Sequence, residues 1–275
     1  MFRQIILSAA AAGLAVGLAA TALQAVTTTP LILKAEVYEQ QGEAAHAAAG
    51  HQHAAEAAAS SSVAAPAGGT PGTVAASVTH EHAAHEHAEE DHGKEAWAPA
   101  DGLERTVYTG LSNILMAVAI SSVLLGLMTL QGARIDARRG LLWGIAGFAA
   151  GSLLPSMGLP PELPGTEAAE ILSRQAWWLT TMAASGAGLA LLALNPRPVW
   201  KACGALLIVL PHIVGAPEPP TLVTAYPAGL ASEFVSLSLA VSAFLWAVSG
   251  LAVGWLFTRF SAAETIEGSR SEQVV

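Results

Sequence analysis

The sequence predicts an all-α protein that crosses a membrane several times, with about six transmembrane helices and five as the alternative count. The 275-residue chain is 53% hydrophobic and only 12% charged, about half the charged fraction of an ordinary soluble domain. Six apolar runs follow one another along it. Because hydrocarbon offers no water to backbone N–H and C=O groups, each run is expected to satisfy them internally as a helix.

The six runs differ in length. They are Ile5 to Val26, Val107 to Leu130, Gly140 to Met157, Ala176 to Leu194, Val199 to Val214 and Phe234 to Phe257. A helix needs about 20 apolar residues to cross the hydrocarbon core, so four runs are comfortable and the third and fifth are short. The first resembles a signal peptide but exceeds the usual apolar region of roughly 7 to 15 residues. We therefore expect it to stay as an anchor.

The remaining sequence divides the chain into segments. Residues 1–30 carry the first helix, 31–105 a predicted exterior loop, 106–258 a bundle of five helices, and 259–275 a tail. Within the loop, residues 41–95 are low-complexity and rich in Ala, His, Glu, Ser, Gly and Pro. Such a composition cannot bury enough surface to offset its ordering entropy. We predict that this long loop, between the first and second helices, is disordered without metal.

The basic residues predict the orientation. With a cytoplasmic N-terminus, eight basic residues lie inside and four outside. The inside set is Arg3, Arg134, Arg138, Arg139, Arg197, Lys201, Arg259 and Arg270, and the outside set is Lys34, Lys94, Arg105 and Arg174. Because loops rich in Lys and Arg remain cytoplasmic, we expect both termini inside, the His-rich loop outside, and a bacterial inner membrane as the location.

Eight of the nine histidines lie in the predicted loop. They are His46, His51, His53, His80, His82, His85, His87 and His92. Neutral imidazole suits Co, Ni, Cu and Zn, and the interleaved carboxylates supply charge and hold the rings in position. The loop offers more ligands than one ion needs, so we predict several weak, exchanging metal sites. The alternative is a solvated linker whose imidazoles only titrate with pH.

Several function classes lack their motifs. His80-Glu81 and His85-Glu86 are not followed by the second histidine of a zinc protease, and the sequence has no phosphate-binding P-loop. The net charge of −9 argues against nucleic acid as a partner. We therefore expect neither an enzyme nor a nucleotide-binding protein. The single cysteine, Cys203, excludes an intramolecular disulfide and predicts a buried thiol.

Polar residues near the exterior helix ends predict a metal-binding vestibule. The candidate ligands are His212, Glu233 and Glu162, and the other vestibule residues are Asn113, Arg174, Gln175 and Glu218. Ionisable groups at membrane depth are costly and mark pathways by default.

Each vestibule residue also has a structural interpretation. His212 could bond to a backbone carbonyl, Glu233 could cap a helix, and Arg174 could pair with Glu170 one turn earlier. Trp177 is expected to anchor at the membrane interface, as are Trp143, Trp178, Trp200 and Trp255.

Several segments together resemble the CbtA family of proposed cobalt transporter subunits. The segments are Phe2-Arg3 with the first helix, LILKAEVYE (31–39), AWAPADGLERTVY (96–108), DARRGLLWGIAGF (136–148), GLPPELPG (158–165), RQAWW (174–178), PHIVGAP (211–217) and PAGLASEF (227–234). Their order and spacing make the resemblance specific. It covers nearly the whole chain except the low-complexity loop.

The resemblance implies a multi-pass membrane protein that supplies cobalt for cobalamin biosynthesis, beside a small single-span His-rich partner, CbtB. It implies five spans, where the apolar runs predict six. We expect no resident cofactor, and Co²⁺ as the transported ion, with Ni²⁺ or Zn²⁺ as alternatives. The first hypothesis is a metal uptake subunit that collects ions on its exterior loop and passes them to the vestibule. The second is a membrane metal-binding assembly or sensor protein that docks on a partner and transports nothing.

Overall fold

The computed structural model of the chain describes residues 2–42, 44, 99–132, 134–221 and 224–272, with side chains as far as residue 262. The eight predicted loop histidines therefore lie outside the described residues. The described part is helical, and in it the only β-type pairing is an isolated bridge between Thr166 and Thr224. This confirms the predicted all-α class.

The described residues form seven helices of more than one turn. They are α1 (Phe2–Val26), α2 (residues 28–42), α3 (Leu103–Gln131), α4 (Ala137–Phe148), α5 (Ile171–Leu194), α6 (Pro198–Val214) and α7 (Ala228–Glu272). A π-helical turn, Ala149–Leu153, continues α4 into a last short turn, Leu154–Ser156. Five of the predicted apolar runs each lie within one helix, and the third extends over α4, the π-helical turn and the last short turn.

Within the described part of the chain, four helices are long and apolar enough to cross a membrane. They are Phe2–Val26, Leu103–Gln131, Ile171–Leu194 and the Ala228–Ala262 part of α7. Helix α6 is a shorter apolar helix, and α4 is interrupted by its π turn. That α4 and α6 also cross the membrane, which would give about six spans, remains a prediction. These two helices correspond to the two shortest apolar runs.

Local chemistry explains where the central helices begin and end. The Glu170 carboxylate accepts hydrogen bonds from the backbone N–H groups of Leu172 (2.9 Å) and Ser173 (2.7 Å) and so begins α5. These bonds hold the pKa of Glu170 below its ordinary value. Pro198 begins α6, where its missing N–H costs nothing, and Gly215 follows the helix at φ +89°.

Close glycine contacts hold neighbouring helices together in antiparallel pairs. A Cβ added to Gly13 or Gly17 on α1 would overlap α3, and one added to Gly140 on α4 would overlap the carbonyl oxygen of Gly250 on α7. A Cβ on Gly188 of α5 would lie 2.6 Å from the carbonyl oxygen of Gly204 on α6. Small residues allow this approach, which supplies the van der Waals contact that packs helices in a membrane.

The antiparallel arrangement gives the bundle two chemically different ends. The "loop end" comprises α2 and residues 99–105, 157–175, 215–221 and 224–227, and the "arginine end" comprises residues 132, 134–139, 195–201 and 258–262. The arginine end carries the basic residues Arg134, Arg138, Arg139, Arg197, Lys201 and Arg259. The predicted grouping of these six residues on one side follows directly from the helix packing.

Two predictions need correction. Residues 31–42 are helical, although the sequence predicted a loop from residue 31, because Leu31 and Ala35 on one face of α2 pack with Leu163, Tyr226 and Phe234. Burying that face against the loop end stabilises the helix. Cys203 is exposed on α6 and not buried, because α6 contacts its neighbours through the face of Gly204.

Candidate metal site at the loop end

A cavity of about 380 Å³ lies at the loop end, where residues 157–158 meet α5 and the end of α6. Its lining residues are Met157, Gly158, Trp177, His212, Ala216, Pro217, Glu218 and Pro219. The wall combines apolar surface with one imidazole, one indole and one carboxylate. A neutral imidazole nitrogen and a carboxylate oxygen are ligands that first-row divalent metals accept.

His212 lies in the last turn of α6 and its ring packs edge to face against Trp177, with 5.9 Å between ring centroids. The Nε2 atom of His212 is buried and has no hydrogen-bond partner among the described residues. In this structure no bond joins this nitrogen to a backbone carbonyl of the described residues. A buried nitrogen without a protein partner can bind a metal ion or one of its water ligands.

Trp177 is part of the cavity wall, a role that the prediction of a membrane-interface anchor did not include. Its ring occupies the space that a side chain at position 158 would need, and its indole Nε1 is also buried without a partner in the described chain. Tryptophan usually finds an acceptor for this N–H when buried. The cavity thus holds two unpartnered ring nitrogens in neighbouring side chains.

The predicted ligands do not share one position in this structure. Glu218 is exposed and lines the cavity of His212. Glu162 bonds elsewhere, and Glu233 is exposed in the second turn of α7, so it does not cap that helix. Within the described ranges no three His, Cys, Asp or Glu side chains are grouped closely enough to hold a metal ion.

Glu162 and Arg174 form a second polar contact at the loop end. Their side chains pair at 2.6 Å between Oε2 and Nη2, so the predicted pairing of Arg174 with Glu170 is wrong, because Glu170 is occupied at the start of α5. Arg174 and Gln175 line a neighbouring groove of about 500 Å³. Leu159 lines this groove, whereas Met157 and Gly158 line the His212 cavity.

Asn113 serves as a contact between helices. Its Nδ2 donates to Thr21 Oγ1 (3.1 Å) and to Gln24 Oε1 (2.7 Å), which ties α3 to the end of α1. Its carboxamide is thus engaged with α1 in this structure.

Comparison with known proteins identifies the family. The model of the CbtA family, described as a probable cobalt transporter subunit, matches residues 2–258, nearly the whole chain. The chain belongs to the CbtA family. No curated protein and no solved structure matches it. Membership confirms the predicted resemblance and, with the four apolar helices, describes a transmembrane protein of cobalt transport.

An ion pair at the loop end of this CbtA chain joins residues far apart in sequence. Arg105 Nη2 lies 2.5 Å from Glu36 Oε1, and Arg105 Nη1 lies 3.1 Å from Glu36 Oε2. Arg105 also contacts the exposed Asp101 at 3.1 Å. The pair bridges α2 and α3 across the undescribed residues 45–98. Sequence reasoning missed it, although LILKAEVYE and GLERTVY carry its two members.

The Glu36–Arg105 pair should contribute measurably to stability. Both side chains are about 30% exposed, and the contact uses both guanidinium nitrogens, so we expect a coupling of about 1 kcal/mol from a double-mutant cycle. The cycle compares Glu36→Gln, Arg105→Gln and the double variant by thermal unfolding in detergent. Asp101→Asn is the matched control, since that carboxylate is solvated. A Glu36–Arg105 coupling no larger than the coupling of Asp101 with Arg105 would contradict the prediction.

Proposed function

We propose that this CbtA chain is the membrane subunit of a divalent metal uptake system, with cobalt as the first candidate, in a bacterial inner membrane. The observation that carries the proposal is the buried, unpartnered Nε2 of His212 in a cavity at the loop end, in a family of cobalt transporter subunits. The proposed topology has six crossing helices, α1 and α3 to α7. The proposed function is transport without enzymatic activity.

Charge supports an orientation with the loop end outside and both termini in the cytoplasm. At the loop end Arg105 and Arg174 are each paired with a carboxylate, and among the described residues there only the exposed Lys34 lacks an ion pair. At the arginine end no ion pair joins a basic residue to a carboxylate within the described residues. Free positive charge favours the cytoplasmic side.

The His-rich segment is attached at the same end as the cavity. Helix α2 precedes it and α3 follows it, and Glu36 and Arg105 hold these two helices together. Farther along α2, Glu39 approaches residue 165, where an added Cβ would lie 3.4 Å from the Cβ of Glu39. Attachment at both sides raises the local concentration of the loop ligands at the cavity. We propose that the loop histidines collect exterior metal by mass action and pass it to His212.

His212 and Glu218 are the proposed first ligands. Glu162 and Glu233 are proposed to join after local rearrangement, since one is paired with Arg174 and the other is solvated here. Until then, water molecules or loop histidines complete the coordination shell of the metal ion. The sequence has no P-loop, so nucleotide hydrolysis by this chain is not the proposed source of energy. We propose that an ion gradient across the membrane, or a single-span His-rich partner such as CbtB, drives the metal ion inward.

Purified protein in lipid vesicles tests the proposal directly. With a metal-quenched dye inside and CoCl₂ outside, we expect dye quenching above that of empty vesicles, with or without the co-reconstituted single-span partner. Cobalt binding without entry under both conditions would favour the second hypothesis, a metal-binding assembly or sensor protein. The scarcity of charged groups inside the helices is the feature that favours that alternative.

Removing the loop should matter only when metal is scarce. Replacing residues 45–98 by a short Gly-Ser linker removes all eight loop histidines, and we expect initial cobalt entry to fall several-fold at metal concentrations well below saturation. At saturating metal the difference should disappear, because mass action then no longer limits occupancy. A full-length variant with the eight histidines replaced by Gln is the matched control for loop length. A deletion that lowers entry equally at all metal concentrations would exclude a collecting role.

A further inference from the structure

A row of buried polar atoms begins at the His212 cavity and continues along α5. The first two members are His212 Nε2 and Trp177 Nε1, and the next two are Thr181 Oγ1 and Ser185 Oγ. All four atoms are buried and lack a hydrogen-bond partner among the described residues. Thr181 and Ser185 are fully buried, at 0% exposure. Such groups are expensive to keep away from water.

Helical geometry aligns the members on α5. Trp177, Thr181 and Ser185 are spaced four residues apart, which puts them on one face of the helix. Eight residues at the rise of an α-helix extend about 12 Å, a length that equals about two-fifths of a hydrocarbon core of about 30 Å.

Threonine hydroxyls at other helix positions, one on α5 and one on α3, are satisfied in the usual way. Thr180 Oγ1 donates to the carbonyl oxygen of Ala176 at 2.7 Å, and Thr129 Oγ1 donates to that of Leu125 at 2.7 Å. Thr181 and Ser185 do not make this bond. Their hydroxyls therefore remain able to contact a passing ligand.

Helix α6 brings one more oxygen to the same depth. The contact of Gly188 with Gly204 sets the antiparallel register of α5 and α6, which puts the buried Pro211 near the level of Thr181 and Leu207 near that of Ser185. Pro211 has no N–H, so the Leu207 carbonyl lacks its helical donor.

We infer that Trp177, Thr181 and Ser185 line the inner continuation of the cation pathway below His212. The inference rests on the proposed function and specifies its route. Hydroxyl oxygens and the Leu207 carbonyl replace part of the water shell of a divalent ion, and the Trp177 N–H donates to a water molecule that the ion retains. The Gly188–Gly204 contact closes the inner end in this structure, since the two backbones touch there.

Cobalt entry into vesicles tests the route with matched hydroxyl deletions. We expect Thr181→Val with Ser185→Ala to lower entry about tenfold, because the ion loses oxygen ligands at its dehydration step. Thr181→Ser should restore entry toward that of wild type. Thr180→Val and Ser121→Ala should change it less than about twofold, since Thr180 is on the exposed face of α5 and Ser121 is a buried unpartnered hydroxyl on α3. Absence of wild-type entry would count against the proposed function, whereas equal entry by wild type and double variant would overturn the route alone.

Thiol accessibility gives a second readout that needs no transport. In a Cys203→Ala background, which has no other cysteine, Thr181→Cys and Ser185→Cys should react with a cationic thiosulfonate reagent added from the loop end. CoCl₂ should slow this reaction. Thr180→Cys should remain unreactive toward the charged reagent because it faces lipid. Unreactive cysteines at both 181 and 185, in variants that unfold at the wild-type temperature, would overturn the inference.

Discussion

Replacing Gly250 by leucine is expected to destroy the packing of α4 on α7 and to lower the unfolding free energy by about 3 kcal/mol or more. The added atoms would occupy the position of the Gly140 carbonyl oxygen, and the next atoms met are the backbone carbon of Gly140 and the Cα of Gly144. A side chain could adopt another rotamer to avoid the overlap, but backbone atoms cannot, so the two helices must separate. The effect is measured by thermal unfolding in detergent, in which the amount of monodisperse protein that remains is recorded at each temperature.

Gly126→Leu is the matched control for this substitution. Gly126 is also helical, but nothing lies within 4 Å of a Cβ added there. Because leucine is a better helix former than glycine, this variant should be as stable as wild type or slightly more stable. If Gly250→Leu were no less stable than Gly126→Leu, the α4–α7 contact would not hold the bundle together.

The helices were predictable because each is an apolar run that has to form its own backbone hydrogen bonds. The paired glycines were visible in sequence, but their partners were not, since Gly140 meets Gly250 only through the fold. Helix α2 was missed because its apolar positions occupy a single narrow face, Leu31 and Ala35. This face is stabilised by residues over a hundred positions later in the chain, which no local pattern reveals.

The candidate site was predictable in its residue types but not in its pairing. His212 and Glu218 were predicted together and line one cavity. Glu162 was predicted as a ligand, but Arg174 bonds to it because Glu170, the expected partner, is used to begin α5. The spacing of Trp177, Thr181 and Ser185 was present in the sequence as a four-residue period. Its meaning depends on burial, which a sequence alone does not give.

Replacing His212 by alanine is expected to reduce cobalt entry into vesicles by about tenfold to a hundredfold at low external metal, the range that loss of a metal-site interaction commonly causes. The imidazole contributes a buried ring nitrogen to the His212 cavity, and this nitrogen has no hydrogen-bond partner among the described residues. Without it the ion meets an apolar wall and the solvated Glu218. The apparent KM should rise more than the maximal rate falls, because the lost interaction is made on binding.

Trp177→Phe and Cys203→Ala separate ligand loss from general damage. Phenylalanine keeps an aromatic ring against His212 and removes only the indole N–H, so entry should fall far less than in His212→Ala. Cys203 lies on the same helix as His212 but is exposed, and its alanine variant should transport normally. An entry rate unchanged in His212→Ala at every cobalt concentration would mean that the ion bypasses the cavity. If Trp177→Phe instead lost as much as His212→Ala with His212 intact, the indole N–H would have to be a primary contact of the hydrated ion, since it is the only polar atom that this change removes.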